Sequence, residues 1–180
     1  MANDETLAQL GRLRADALFG KKKHYNAADR KEISAVILTL GIVLINVLVG
    51  SALFALLKEA IPEWAKWVGA FLSFLGAALG TIQTYLGYQK AAPGHRAIGG
   101  RYLSLMKRCD RLRAYHADGL RDMSQLATAL EALARECDDI NADAHALPTN
   151  ERDIRLAREA IQSGEEEYTD KELGGVHRGA

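Results

Sequence analysis

Charge is missing from two stretches of this 180-residue chain: neither Ile33–Leu57 nor Trp67–Gln89 contains an Asp, Glu, Lys or Arg. Elsewhere charge is plentiful, with 23 basic and 23 acidic residues, so a net charge of zero conceals an uneven distribution. There are only two cysteines, Cys109 and Cys137, too few for a disulfide framework. They read as small buried apolar residues rather than reactive thiols. No Cys-x-x-Cys pair, phosphate-cradling glycine loop or nucleophile elbow occurs. The five histidines (His24, His95, His116, His145 and His177) are scattered, none at metal-ligand spacing with a second donor. With these absences no catalytic function is expected, and no cofactor or metal. A cleaved signal peptide is not expected either, because the first apolar run begins only at Ile33 and is too long for a signal core.

The apolar runs themselves are long enough to cross the roughly 30 Å of a bilayer's hydrocarbon. Ile33–Leu57 holds sixteen Leu, Ile, Val and Phe side chains and shows no polar face at helical spacing. At membrane-insertion values these sum to about −5 to −10 kcal/mol, more than Asn46 can offset. Trp67–Gln89 is weaker, with eight such residues, four glycines and Gln83. A span this marginal gains from packing against protein, which points to an oligomer. Lys21, Lys22, Lys23, Arg30 and Lys31 precede the first span, and Lys90, Arg96, Arg101, Lys107 and Arg108 follow the second. The loop between has Lys58 and Lys66 balanced by Glu59 and Glu63, so the positive-inside rule places both termini in the cytoplasm. Trp64 and Trp67 fit an outer interfacial belt.

The predicted organisation is all-α: an integral membrane two-helix hairpin with cytosolic amphipathic and coiled-coil-like helices. Residues 1–32 form an amphipathic helix (Leu7, Leu10, Leu13, Leu18) with a basic juxtamembrane segment. The spans occupy 33–57 and 67–92, joined by an external loop at 58–66, and the second ends or bends near Pro93. A cytosolic helical region covers 93–162, and an acidic flexible tail 163–180. Within the helical region Tyr102, Leu105, Cys109, Leu112, His116, Gly119, Met123, Leu126, Leu130, Leu133, Cys137, Ile140, Ala144 and Leu147 step alternately by three and four, a heptad seam. Its residues Met123, Leu126, Leu130, Leu133, Ile140 and Leu147 are the candidates for joining subunits. His116 and Gly119 interrupt the seam, so it either runs straight or folds back there. Asn150 is a cap for a last amphipathic piece through Ile154, Ala157 and Ile161. From Ala114 onward there are 15 acidic and seven basic residues, and before it eight acidic and 16 basic. A basic half near an anionic leaflet and an acidic half away from it suit that arrangement. The basic run Lys21–His24 reads as headgroup anchoring, and no nucleic acid is expected.

The candidate site lies in the second span. Gly69, Ser73, Gly76, Gly80, Gln83 and Gly87 step by four, three, four, three and four, lining one helix face with Thr84 beside it. Gly76-x-x-x-Gly80 is a close-packing signature. Two readings stay open: the stripe docks this helix on a neighbour, or it lines a pore in which Ser73, Gln83 and Thr84 meet water or ions. Asn46, the one strongly polar side chain in the middle of the first span, divides the same way between packing and pore lining.

The order of landmarks resembles a known family. Ala17-Leu18-Phe19-Gly20-Lys21 leads into His24-Tyr25 and Ala28-Asp29-Arg30. The second span closes with Gln83-Thr84-Tyr85-Leu86-Gly87-Tyr88-Gln89-Lys90, followed by His95-Arg96 and Tyr102. Over about residues 6 to 165 the chain looks like the SLATT domain family, the two-transmembrane effectors associated with SMODS nucleotidyltransferases and SLOG proteins in prokaryotic defence. The resemblance implies a pore-forming or membrane-perturbing effector of the bacterial inner membrane, triggered through a nucleotidyltransferase or nucleotide sensor encoded nearby and ending in cell death or growth arrest; with the marginal second span, the expectation is a homo-oligomer. It supplies no catalytic residues. The alternative is a membrane-anchored scaffold recruiting a cytosolic partner through the heptad helix. A constitutive channel would call for charges within the spans, and there are none.

Overall fold

The computed structural model describes residues 2–56 and 62–166, with side chains described over 5–52 and 62–166. Five helices follow in order: α1 (Ala2–Leu56), α2 (Glu63–Leu86), α3 (Tyr88–Ala117), α4 (Met123–Ala144) and α5 (Glu151–Gln162). There is no strand among the described residues. The chain divides into two compact units, one from Met1–Ala27 with His95–Ala180, the other Ala28–Gly94. The expected external loop is described only from Pro62, and the expected tail only as far as Glu166; the rest of each lies outside the described residues.

The first unit packs the beginning of α1 with α3, α4 and α5. Its core joins Leu10, Ala17 and Leu18 of α1 to Ile98, Tyr102, Leu105, Met106, Cys109 and Leu112 of α3 and to Leu126, Leu133, Cys137 and Ile140 of α4. Leu7, Leu13, Met123, Leu130, Leu147 and Ile161 pack against it. The heptad seam is therefore folded back on itself inside one chain. The reversal follows from Gly119, whose φ of 70° is open to a residue without a Cβ. The amide of Leu120 donates to the Tyr115 carbonyl at 2.9 Å, closing the end of α3. Asp122 then opens α4 with a capping box to Gln125. Asn150 caps α5 as the sequence predicts, in a capping box with Asp153.

The six residues expected to join subunits are thus engaged within the chain, with Leu126, Leu133 and Ile140 buried. Ion pairs Arg101–Asp143 and Arg108–Glu136 tie α3 to α4, and Arg14–Asp110 ties α1 to α3. Residues 163–166, where the sequence predicts the start of a flexible tail, hold defined contacts. Lys21 pairs with Glu166 at 2.7 Å, and Lys22 pairs with Glu165 and Glu166 at 2.9 Å each. Two of the lysines read as headgroup anchors therefore spend their charge inside the protein.

The second unit is the hairpin of α1 and α2. Its apolar side chains point outward: Ile37 is 64 % exposed, Phe74 73 % and Trp67 75 %. A soluble core helix buries such residues, whereas only 6 % of the most apolar window of each of these helices is buried. Hydroxyls along the spans turn back on their own helix, as Ser51 does to the Val47 carbonyl. That satisfies their donors where no water is at hand. The break expected near Pro93 falls instead at Gly87, which takes a left-handed conformation (φ 58°, ψ 22°). The helix restarts at Tyr88, so Pro93 is the sixth residue of α3, past the first turn, and the helix runs on through it with the Gln89 carbonyl lacking its i+4 amide.

Candidate functional site

In the hairpin, α2 turns part of its predicted stripe toward α1. Gly76 is buried, and a Cβ there would stand 3.2 Å from Ile45 and 3.7 Å from the Asn46 side-chain oxygen. The Gln83 amide donates to the Thr39 hydroxyl at 2.7 Å. Among the described residues, a Cβ at Gly69, Gly80 or Gly87 would have no atom from elsewhere in the chain within 4 Å. Ser73 and Thr84 are exposed, and each donates its hydroxyl to the carbonyl four residues earlier, Gly69 and Gly80 respectively. Their oxygens keep acceptor capacity while their protons are spent. The stripe is thus divided: Gly76 and Gln83 seat the hairpin, Ser73 and Thr84 are exposed, and Gly69 and Gly80 are half-buried with room for a Cβ. Asn46 is itself exposed and has no hydrogen-bond partner among the described residues.

The first unit contains a polar cluster that sequence spacing does not reveal. His24 of α1 and His95 of α3, 71 positions apart, meet Nδ1 to Nδ1 at 3.1 Å. They are 1 % and 0 % exposed. One of the two nitrogens must carry the proton and the other accept it. Tyr102 lies against His24, with ring centroids 5.9 Å apart, and donates its hydroxyl to Asn141 of α4 at 2.5 Å. Asn26 donates to the Asp153 carbonyl at 3.1 Å, joining α1 to α5. Burial, then His95 and Lys23, push the His24 pKa down to about 4 against a smaller opposing pull from Asp153, so it is neutral at pH 7. Backbone approaches are close here: a Cβ on Gly20 would stand 2.8 Å from the Tyr102 ring, and one on Gly99 3.4 Å from Tyr25. The only signal in the sequence was that His24, Tyr25, His95 and Tyr102 are all landmarks of the resemblance.

Neither cysteine belongs to reactive machinery. Both are buried, and burial pushes the Cys109 thiol up to about 11 and raises Cys137 as well. Among the described residues no group of three or more His, Cys, Asp or Glu side chains is placed to hold a metal ion.

No curated protein and no solved structure matches this chain. A family does: the sequence model of the SMODS and SLOG-associating 2TM effector domain family 4 (SLATT family 4) matches residues 7–172. That span takes in the polar cluster, both apolar helices and the α3–α4 pair. With two apolar helices in a hairpin and an otherwise helical fold, the chain belongs to the SMODS and SLOG-associating two-transmembrane effector domain family 4.

Proposed function

We propose that this protein acts in prokaryotic anti-phage defence as a homo-oligomeric effector of the inner membrane, with both termini cytoplasmic. In this reading the hairpins assemble into a ring that is closed at rest. A signal from a nucleotidyltransferase or nucleotide-sensing partner opens it, and loss of the membrane barrier ends in cell death or growth arrest. The observation that carries the reading is the uncovered polar face of the hairpin. Asn46 exposes an amide in the middle of a span, and Ser73 and Thr84 expose hydroxyl oxygens beside Gly69 and Gly80. A membrane amide gains about 0.6 to 2 kcal/mol from a partner on another helix. The glycines leave room for a neighbouring backbone, and the oxygens suit water or ions.

Assembly in this reading runs through the hairpin, since the heptad residues are already packed in the core of one chain. The same packing weakens the scaffold alternative, which relied on a free heptad face. Gating requires that whatever binds the cytosolic unit prefers the open ring.

The test is membrane potential and impermeant-dye entry in bacteria expressing the chain alone and with its genomic neighbours. Depolarisation that Gly80→Leu abolishes, at equal membrane levels, is the expected result. Intact membranes in every combination, phage challenge included, would move the function to an anchored scaffold.

A further inference from the structure

The first unit contains a cleft of about 480 Å³ where α1, α3 and the end of α4 meet the segment leading to α5. Its polar walls are Lys23, His24, Tyr102, Asn141, His145 and Thr149, with apolar wall from Leu147 and Pro148. Among the described residues no carboxylate lines it. That is unusual in a region as acidic as the chain beyond Ala114. The volume lies within the roughly 300–1,000 Å³ of small-ligand sites. His24 turns its Nδ1 to His95, which leaves Nε2 for the cleft that His24 lines.

We propose that this cleft binds a phosphate group, carried either by a soluble phosphate ester or by a lipid headgroup. The donors suit a phosphate better than a carboxylate. The Lys23 ammonium supplies one charge, His24 gains a second by taking up a proton, and the Thr149 hydroxyl offers a further hydrogen bond. A phosphate monoester carries about two negative charges and three acceptor oxygens near neutral pH. The apolar wall takes the organic body.

Binding is coupled to protonation. In the empty cleft His24 is neutral, because burial, His95 and Lys23 disfavour its charge more than Asp153 favours it. An anion beside Nε2 reverses that balance. Asp153 of α5 is the carboxylate that competes with a ligand for a charged His24, whereas Tyr102 from α3 and Asn141 at the end of α4 bring no negative charge at pH 7.

The probe is inorganic pyrophosphate, titrated by calorimetry into the purified full chain in detergent at pH 7, in two buffers of different ionisation enthalpy. One saturable site per chain is expected, with a heat that depends on the buffer because protons are taken up. Lys23→Gln weakens binding about tenfold, the loss of one charge-assisted contact. His24→Gln removes the buffer dependence, and Thr149→Val serves as the milder variant should that buried change disturb folding. Lys107→Gln on the outer face of α3 leaves binding unchanged. Nanodiscs containing phosphatidic acid that exclude pyrophosphate would identify a lipid headgroup as the source, and indifference to them a soluble ester. No saturable site, equal weakening by Lys107→Gln, or a heat independent of buffer would overturn the proposal. Because binding is read without any permeability assay, it stands or falls separately from the pore.

Discussion

His24 condenses the residue-scale physics of the first unit into one titration. Its folded pKa, about 4, lies below its ordinary value of 6.5, so the unfolded chain binds the proton more tightly. Stability from this group is therefore fully present above pH 6.5 and is lost as the pH falls toward 4. Between pH 7 and pH 5 the loss is about 2 kcal/mol. Denaturant unfolding followed by circular dichroism checks this: the midpoint falls on acidification, and His24→Gln falls less. Glu166 adds to the acid sensitivity, since Lys21 and Lys22 hold its carboxyl below the usual range despite burial. The comparison with His24→Gln separates the two. Gly20 tests the same cluster sterically. A methyl there meets the Tyr102 ring at 2.8 Å. Gly20→Ala should cost about 1–3 kcal/mol, the usual range for overpacking, in the same unfolding measurement. Neither effect was legible in the sequence, where His24 and His95 are two isolated histidines and Gly20 one glycine among many. Contacts 71 residues apart leave no trace in local spacing.

At the scale of elements, periodicity located the core residues and misjudged what they pack against. The three-and-four rhythm from Tyr102 to Leu147 is real, and Leu105, Cys109, Leu112, Leu126, Leu133, Cys137 and Ile140 are all buried. A heptad pattern reports that a helix has an apolar stripe and is silent on whether the partner is another chain or its own continuation. Two backbone details decide it: the left-handed Gly119 and the Asp122 capping box. Gly119→Ala should cost about 1 kcal/mol in unfolding free energy, and Asp122→Ala about the same. Being distant from the His24 cluster, both should leave the pH dependence of stability unchanged. The helix break after the second span shows a similar limit. Pro93 and Gly99-Gly100 are stronger breakers on paper than Gly87. Yet Gly87 takes the left-handed turn and the later residues continue as helix through Pro93, at the loss of one ladder hydrogen bond.

At the scale of the whole molecule, the membrane hairpin was the most legible part, because charge-free runs of this length have few other uses. What the sequence could not apportion was the small-residue stripe, since the stepping of Gly69 through Gly87 fits docking within the hairpin and contact between hairpins equally. Gly76 and Gly80 now separate the two uses. A leucine at position 76 collides with Ile45, already 3.2 Å from a bare Cβ, so it acts inside one chain. At position 80 a Cβ has no described atom from elsewhere in the chain within 4 Å, so a side chain can start there without a clash. Gly76→Leu should therefore disturb the hairpin itself, read as greater protease sensitivity and lower membrane levels. Gly80→Leu should leave the single chain intact, shift the crosslinked species toward monomer, and abolish depolarisation. Asn46→Leu should follow Gly80→Leu, because in this reading its amide has its partner on another chain. Wild-type crosslinking and permeability in both Gly80→Leu and Asn46→Leu would mean that subunits do not meet on this face. The polar positions of the spans would then serve only the hairpin they belong to, and the ring would have to be sought elsewhere.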